Sequence, residues 1–418
     1  MKQKMATGSL KKNVKRSEVF KSHFAGFALF DPQSGNYLYE QNADLYFAPA
    51  SNTKLFTFYA GLKMLGDSVP GMKYTVAGDS LIFWGTGDPT FLHPDFPDQP
   101  VLEFLQSREE ELYLATGNFQ DTHFGPGWAW DDYPYYFQTE RSAMPVYGNM
   151  VNFQYDSLNL SYKIVPGFFN DFTEILEVKT PSFFPNRGLD HNIFQYYPDL
   201  GKSSYKNRVP FKVSDELVTV LLSDTLKAKV KTTPFRPREN VQTIYSGGIN
   251  PVYARMLKAS DNFLAEQIIY LCAATREDTL NSSRILHYMT ENHLKDLPSA
   301  PIWRDGSGLS RYNLFTPRSM VFLLEKIKKE LPEDTLLSLL PAGGVDGTLR
   351  NWYKSETGTP YVFAKTGTFS NNHSLSGFIR TNSGKLLTFS FMHNNYSSSS
   401  VPVKLEMEKT LRLIRDKY

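Results

Sequence analysis

The chain of 418 residues has a single cysteine, Cys272, and no long apolar run. One cysteine excludes an intrachain disulfide, and its apolar neighbours in residues 268–274 favour a small buried side chain over a thiol nucleophile. No stretch reaches the ~18 to 20 apolar residues that span a bilayer, and no signal-peptide core precedes Phe24. Either the protein is cytoplasmic or its export signal is absent from this chain.

The chain also lacks a strong charge of either sign. Its formal net charge is +2, and no basic block interleaves with aromatic residues, which argues against nucleic-acid binding. The main basic run lies in the polar residues 1–19, which we expect to form a solvated or cloning-derived end rather than a binding arm. Hydrophobic residues make up 41% and aromatic residues 14%. This composition is typical of a globular protein, and the length predicts two or three domains.

Three short strings follow one another in a fixed order: Ser51-Asn52-Thr53-Lys54, Ser260-Asp261-Asn262 and Lys365-Thr366-Gly367. They read S-x-x-K, S-x-N and K-T-G, the active-site set of serine acyltransferases that act on D-alanyl peptides and β-lactams. The first two patterns recur elsewhere by chance, S-x-x-K at Ser9 and Ser203 and S-x-N at Ser34, Ser157 and Ser370. Of the S-x-x-K copies, the one at Ser51 leads into an apolar helix pattern. Order and local setting therefore select the three strings as candidates.

Ser51 is predicted to be the nucleophile. It would lie at the first turn of a buried helix over residues 55–65, where free backbone N–H groups and the helix dipole favour negative charge. Lys54 follows on the same helical face, close enough to take the hydroxyl proton if burial and nearby cations disfavour its charged form. The alternative is an N-cap serine followed by a solvated lysine.

The other two strings predict the proton relay and the substrate contacts. Ser260 can relay a proton to the leaving amine and Asn262 can hold the substrate's peptide bond, although a simple helix N-cap also explains the string. Lys365 ends an apolar strand. Its ammonium group and the hydroxyls of Thr366 and Thr368 can receive a terminal carboxylate, while Gly367 permits a close backbone approach. The backbone N–H groups of Ser51 and Thr368 are candidates for an oxyanion hole.

The two ends of the chain predict an α+β catalytic domain. Residues 24–39 and residues 375–393 each read as a β-hairpin, and residues 403–416 read as an amphipathic core helix. We expect these strands to share one antiparallel sheet flanked by helices. The catalytic domain is assigned to residues 20–67 and 209–418.

A long insertion separates the first two strings. Residues 68–208 are rich in Gly, Pro, Asn and aromatic residues, which predicts one or two β-rich accessory domains. A helical pattern resumes at residues 213–226, and with it the catalytic domain.

Further strings resemble those of one enzyme family. Residues 85–89 (GTGDP), 125–132 (GPGWAWDD), 305–311 (DGSGLSR) and 344–349 (GVDGTL) are similar to stretches of the penicillin-binding protein 4 type of D-alanyl-D-alanine carboxypeptidase/endopeptidase, peptidase family S13. The resemblance covers most of residues 20–415. It implies a β-lactamase/transpeptidase-like catalytic domain, an extracytoplasmic location, and no cofactor or metal.

The same resemblance implies a function and a substrate wall. The enzyme would cleave the terminal D-Ala, or a D-Ala cross-link, from peptidoglycan stem peptides through an acyl-serine, and penicillins would acylate it. Asp131, framed by Trp128 and Tyr136, would pair with the free amino group of a diamino acid, with Leu309 and Arg311 nearby. The alternative is that Trp128 and Tyr136 only pack the insertion.

One departure from the family pattern follows Thr368. This chain has Phe369-Ser370-Asn371-Asn372-His373 where the family more often has an aliphatic residue and smaller groups, which implies a differently shaped substrate pocket.

Two other functions use the same strings. A β-lactamase or esterase would share the acylation machinery but needs a base and a water for fast deacylation, and the sequence identifies neither. A non-catalytic wall-binding or β-lactam-sensing protein is the other alternative. A wall-binder needs no activated nucleophile, whereas a sensor must still be acylated. The five polar residues of the three strings therefore argue against a wall-binder and less strongly against a sensor.

Overall fold

The computed structural model describes residues 2–159, 161–176, 186–196 and 204–418. The chain divides into two compact units. The first comprises residues 1–64, 250–265 and 283–418, and the second comprises residues 65–249 and 266–282.

The helices and strands of the described residues are numbered along the chain. The helices are α1 (Lys2–Arg16), α2 (Glu18–Lys21), α3 (Lys54–Met64), α4 (Pro100–Gln106), α5 (Asp215–Leu226), α6 (Asn250–Lys258), α7 (Asn262–Ala274), α8 (Ser282–His293), α9 (Pro317–Glu330), α10 (Glu333–Leu339) and α11 (Ser400–Lys417). The strands are β1 (Phe24–Asp31), β2 (Asn36–Gln41), β3 (Ser68–Ala77), β4 (Ser80–Gly85), β5 (Glu111–Thr116), β6 (Met150–Asp156), β7 (Ser161–Val165), β8 (Thr173–Ile175), β9 (Asn186–Arg187), β10 (Phe194–Tyr196), β11 (Tyr205–Pro210), β12 (Val230–Pro234), β13 (Gln242–Gly248), β14 (Val362–Phe369), β15 (Asn372–Arg380) and β16 (Leu386–Asn394).

The first unit contains an antiparallel sheet with the strand order β14-β15-β16-β1-β2. Both predicted hairpins are confirmed, and β1 of one pairs with β16 of the other. One face packs on α11, whose Met407, Leu411 and Ile414 are buried with Phe389 and Phe391 of β16. The ends of the chain therefore share one sheet, as the sequence predicts, and the fold is α+β.

The N-terminal residues differ from the expected solvated end. Residues 2–16 form α1, in which Leu10 and Val14 are buried in the same core as α11. Asn13 and Thr410 of α11 join their side chains in a hydrogen bond of 3.1 Å. Ala6, Leu10 and Val14 recur every four residues and form a narrow apolar stripe that a count of charged residues does not detect.

The second unit is built on a mixed sheet with the order β12-β5-β4-β3-β13. The pairs β4-β5 and β5-β12 are parallel, and two three-stranded sheets complete the strand pairs of the described residues. The predicted helix at residues 213–226 is present as α5, but its Val218, Leu221 and Leu222 are buried in the core of this unit. The predicted boundary after residue 208 is therefore wrong, because the apolar face of α5 packs on this sheet.

Cys272 is buried in α7, as predicted, and burial raises the pKa of its thiol. No helix in the part of the chain that the structure describes is both long and apolar enough to cross a bilayer.

Three histidines lie together at one end of the first unit's sheet. His373 of β15 is directly opposite His393 of β16, and His393 Nδ1 lies 2.8 Å from His23 Nε2. Burial, together with the charge of Lys404, lowers the pKa of His373 to about 3. Burial and the neighbouring imidazoles also hold the pKa of His393 well below its usual range. The folded protein therefore keeps these rings neutral.

The burial of α1 predicts the effect of one substitution. Leu10→Ala removes a fully buried side chain and leaves a cavity, so we expect it to lower the free energy of unfolding by about 2–4 kcal/mol in urea titrations. Lys11→Ala, at an exposed position on the same helix, is the control and should change it by less than about 0.5 kcal/mol. Equal effects of the two substitutions would contradict the docking of α1.

The neutral histidines predict a pH dependence of stability. The unfolded chain protonates His373 near 6.5 and the folded chain only near 3, so the unfolded state binds more protons between these values. The free energy of unfolding therefore falls as the pH drops through this window, by at most about 1.4 kcal/mol per pH unit for each histidine. Urea titrations at pH 4 to 7 should show a shallower slope for His373→Asn. The exposed His287→Asn should keep the wild-type slope; an unchanged slope in His373→Asn would contradict the assignment.

Candidate active site

Ser51 lies on a 3₁₀ turn, Ala50–Thr53, that runs directly into α3. Ala50 has a φ of +47°, which turns the backbone sharply before the serine. The buried Asn52 donates its side-chain amide to the backbone carbonyl of Lys365 at 2.9 Å. The turn that carries Ser51 is therefore fixed to the strand that carries the K-T-G string.

Lys54 is fully buried and its ammonium group is surrounded by oxygen atoms. Its Nζ lies 3.0 Å from Ser51 Oγ, 2.6 Å from Asn262 Oδ1 and 2.7 Å from the carbonyl oxygen of Ser307. A solvated lysine after an N-cap serine does not fit this geometry. The structure instead joins residues of the first two strings in one hydrogen-bonded cluster.

The carbonyl of Ser307 belongs to a loop that Asp305 organises. The buried Asp305 accepts hydrogen bonds from the backbone N–H groups of Gly308 at 2.8 Å and Ser310 at 2.6 Å. Gly308 has a φ of +87°, and a Cβ there would collide with the carbonyl oxygen of Ala50. Only glycine fits this approach. The sequence prediction missed Ser307, although the D-G-S-G string was a signal for a tight loop.

Ser260 lies between α6 and α7 and has a φ of +58°, in the left-handed region. The side chain of Asp261, not of Ser260, caps α7 by accepting a hydrogen bond from the Leu264 N–H at 3.1 Å. The Ser260 hydroxyl instead accepts a hydrogen bond from Lys365 Nζ at 2.8 Å. The N-cap explanation of this string therefore applies to Asp261 alone.

Lys365 is the second buried lysine of the site. Its Nζ also donates to the carbonyl oxygen of Thr366 at 2.8 Å. Burial, and then the charge of Lys54, hold the pKa of Lys365 well below its usual range. Two lysines thus lie close enough for each charge to disfavour the other.

The loop of residues 344–349 borders Thr366. The hydroxyl of Thr366 donates to Thr348 at 2.8 Å, and Asp346 of the same loop accepts a hydrogen bond from Lys258 Nζ at 2.6 Å. Lys258 ends α6, two residues before Ser260. The ion pair therefore ties this loop to the S-x-N string. The sequence prediction missed Thr348 because a lone threonine carries no recognisable pattern.

Gly367 lies against the turn that carries the nucleophile. A Cβ on Gly367 would collide with the carbonyl oxygen of Pro49 and lie 2.9 Å from the backbone nitrogen of Ser51. The exposed Thr368 follows, and the guanidinium group of the exposed Arg311 lies 4.7 Å from the ring centroid of Phe369. Leu309, two residues before Arg311 in the sequence, is half-buried. The departure from the family pattern thus places an aromatic ring against Arg311.

The remaining candidates lie in the second unit or in the other S-x-x-K copies. Trp128 packs with its ring centroid 5.5 Å from the buried Arg141. Asp131 is exposed, and Tyr136 is 66% exposed. Asp131 therefore has the solvent access that a substrate contact needs, whereas packing holds Trp128. Ser9 is exposed on α1, and Ser203 lies outside the described residues.

The arrangement of the first unit is suited to acyl transfer. The Ser51 hydroxyl lies 3.0 Å from a buried amine, and a second hydroxyl, that of Ser260, is bound to a second lysine. Gly367 of β14 lies next to the backbone N–H of Ser51. Among the described residues no group of three or more His, Cys, Asp or Glu side chains is placed to hold a metal ion.

Sequence comparisons match the chain to one family. The model of the D-Ala-D-Ala carboxypeptidase 3 (S13) family matches residues 6–163 and 219–417. The D-alanyl-D-alanine carboxypeptidase DacB of Haemophilus influenzae is 23% identical over 94% of this chain and 90% of its own sequence. The D-alanyl-D-alanine carboxypeptidase of Actinomadura sp. (strain R39) is 24% identical over 93% of this chain and 81% of its own sequence.

Structure comparisons agree at the level of the fold. Penicillin-binding protein 4 from Haemophilus influenzae is similar, with a TM-score of 0.77 and 22% identity, over 98% of this chain and 99% of that chain. The same protein in complex with a β-lactam has a TM-score of 0.73 and 21% identity over 99% of both chains. A peptidoglycan endopeptidase from Bdellovibrio bacteriovorus has a TM-score of 0.54 and 15% identity over 93% of this chain and 91% of that chain.

The family match extends over most of the chain on both sides of the gap at residues 164–218. It includes all three strings that form the buried cluster. The chain therefore belongs to the D-Ala-D-Ala carboxypeptidase 3 (S13) family.

Proposed function

We propose that the protein is a serine D-Ala-D-Ala carboxypeptidase/endopeptidase that acts on peptidoglycan stem peptides through an acyl-enzyme on Ser51 and is acylated by β-lactams. One observation carries the proposal: Lys54 Nζ lies 3.0 Å from Ser51 Oγ while Asn262 and the Ser307 carbonyl hold it on other sides. An amine held in this way is suited to activate a hydroxyl.

In the acylation step Lys54 acts as the general base. A neutral amine can keep its two N–H groups on Asn262 Oδ1 and the Ser307 carbonyl while its lone pair faces the Ser51 hydroxyl. Lys54 is fully buried, and burial disfavours the charged form of an amine. The Ser51 proton moves to Lys54 as Oγ bonds to the carbonyl carbon of the penultimate D-Ala, giving a tetrahedral oxyanion.

Ser260 completes the acylation step. Its hydroxyl, bound by Lys365 Nζ at 2.8 Å, donates a proton to the leaving amine as the C–N bond breaks. Ser260 regains a proton from Lys365, and the proton that Lys54 took from Ser51 replaces it. Free D-Ala leaves and the acyl group stays on Ser51. Water then attacks the ester, with its proton passing to Lys54. Lys54 returns this proton to Ser51 Oγ as the ester C–O bond breaks, and the shortened peptide is released. When water attacks this ester only slowly, the acyl group formed from a β-lactam stays attached to Ser51.

Backbone and hydroxyl groups bind the rest of the substrate end. The N–H groups of Ser51 and Thr368 are the proposed oxyanion hole. The hydroxyls of Thr366 and Thr368, near the Lys365 cation, are the proposed site of the terminal carboxylate. Gly367 supports this role because the strand approaches the Ser51 nitrogen as closely as a residue without Cβ permits.

The substrate wall and the location are further parts of the proposal. The exposed Asp131 carboxylate, which lies in the sequence between Trp128 and the exposed Tyr136, is suited to bind the ammonium group of a diamino acid in the stem peptide. Leu309 and Arg311 would contact the peptide near Phe369. Stem peptides occur outside the cytoplasm, so we propose a periplasmic or otherwise extracytoplasmic location.

Replacing the nucleophile tests the function directly. Wild-type protein should be labelled stably by a fluorescent penicillin and should release D-Ala from a pentapeptide ending in D-Ala-D-Ala. Ser51→Ala should lose both activities, by at least about 10³-fold, because no acyl ester can form. Ser9→Ala, at the exposed S-x-x-K copy, is the matched control and should match wild type.

The alternatives give other results in the same assay. Label that is lost within minutes would indicate a β-lactamase. Stable label without D-Ala release would indicate a sensor, and neither label nor release would indicate a wall-binding protein.

A second substitution tests the strand approach. Gly367→Ala places a methyl group against backbone atoms of the turn at residues 49–52, so the strand must move away from Ser51. We expect the penicillin acylation rate to fall by about 10- to 100-fold, as for a displaced oxyanion donor. Gly66→Ala, where a Cβ meets nothing within 4 Å, is the control and should keep the wild-type rate. An unaffected Gly367→Ala protein would refute the proposed role of this strand.

A further inference from the structure

Thr368 and His373 meet across a strand pair at the end of β14. The register places Thr368 opposite His373 and His373 opposite His393, and side chains at opposite positions of antiparallel strands share one face. Thr368 Oγ1 lies 2.8 Å from His373 Nδ1. Thr368 is exposed, whereas His373 is only 2% exposed. A hydroxyl at the substrate-facing end of the strand is thus bound to an imidazole that solvent barely reaches.

The direction of this hydrogen bond decides what Thr368 offers to a ligand. A threonine hydroxyl has one proton and two lone pairs. If His373 Nδ1 accepts, that proton is used and the hydroxyl presents only lone pairs, which repel a carboxylate. If His373 Nδ1 donates, the Thr368 proton is available to a carboxylate. The tautomer of one buried ring therefore determines whether this hydroxyl attracts or repels an anion.

The side chains of Lys365 and Thr366, which precede Thr368 in β14, already donate hydrogen bonds within the protein. Lys365 Nζ donates to Ser260 Oγ and to the Thr366 carbonyl, each at 2.8 Å. The Thr366 hydroxyl donates to Thr348 at 2.8 Å. The Thr368 hydroxyl and, where Lys365 is charged, its third N–H group are therefore the side-chain donors of these residues that remain for a carboxylate at this end of β14.

The surroundings of His373 keep it neutral and fixed in place. Burial and the charge of Lys404 lower its pKa to about 3. Its cross-strand neighbour His393 is buried and lies 2.8 Å from His23, and the pKa values of both these histidines are also lowered. A neutral imidazole has one N–H group, so His373 can serve Thr368 as a donor or as an acceptor but not as both.

We propose that His373 is a positioning residue for substrate specificity: its Nδ1–H donates to Thr368 Oγ1 and so directs the Thr368 hydroxyl proton to the terminal carboxylate of the substrate. The inference rests on the proposed peptidase function. His373 acts through Thr368 and does not touch the reacting atoms.

The test compares substrates that differ only in the terminal carboxylate. One pair is the pentapeptide ending in D-Ala-D-Ala and its C-terminal amide, assayed by product release. The other is benzylpenicillin and its methyl ester, assayed by acylation rate. His373→Phe should lower kcat/KM for the free acid about 10-fold, mainly through KM, and change the value for the amide by less than about 2-fold.

Two polar variants separate donation from packing. His373→Asn places an amide N–H near the position of Nδ1 and should retain the preference for the acid. His373→Gln places its amide near the position of Nε2 and should lose it. This pair also serves if His373→Phe does not fold. In a Thr368→Val background, His373→Phe should cause no further loss of preference, since the two residues act as one unit.

The possible results are distinct. Equal losses on acid and amide, or equal behaviour of the Asn and Gln variants, would overturn the inference and leave the peptidase function intact. A wild-type protein that cleaves neither peptide and binds no penicillin would overturn the proposed function and the inference with it.

Discussion

Two buried lysines impose the main constraint on the catalytic unit. An ammonium group is costly to bury, and two near each other cost more, unless oxygen atoms surround them. Lys54 is held by the Asn262 side chain and the Ser307 carbonyl, and Lys365 by Ser260 and the Thr366 carbonyl. Asn262 begins α7 and Thr366 belongs to β14. Ser307 and Ser260 lie in loops that have their own support, from Asp305 for residues 305–310 and from the Lys258–Asp346 ion pair beside Ser260. Much of the local architecture thus serves to supply oxygen atoms to two buried amines that lie close together.

The same loops explain why several unfavourable backbone conformations persist. Ala50 and Ser260 have positive φ values without being glycine, which costs roughly 1–3 kcal/mol each. Ala50 directly precedes Ser51, which contacts Lys54, and Ser260 itself contacts Lys365. At both positions the backbone places a hydroxyl, Ser51 Oγ or Ser260 Oγ, within hydrogen-bond distance of a buried lysine. At residue 308 a Cβ would collide with the carbonyl oxygen of Ala50, and the chain has glycine there.

Much of this site could be predicted from the sequence, and the remainder follows a physical pattern. The side chains of Ser51, Lys54, Ser260, Asn262 and Lys365 were identifiable because their chemistry depends on residue type and short spacing. The Ser307 carbonyl was not, because any residue carries one. Thr348 and the pairing of Thr368 with His373 depend on strand register and loop geometry, which residue type and short spacing do not reveal. For the fold, turn residues between apolar runs predicted the two hairpins. The helix α5 was assigned to the first unit, whereas its apolar face is buried in the core of the second. A stripe as narrow as Ala6, Leu10 and Val14 gave too weak a signal for α1.

The pairing of β1 with β16 has a consequence for how the enzyme comes into being. A ribosome makes the strand that begins at Phe24 long before the strand that ends at Asn394, and Ser51 long before Ser307 and Lys365. Contacts of such sequence separation form slowly and late. A partly synthesised chain therefore carries Ser51 and Lys54 without the oxygens of Asn262 and Ser307 that hold Lys54. Under the proposed mechanism, the Ser51 hydroxyl is activated only after these later residues have folded. Chemical competence is in this way coupled to the completion of the polypeptide.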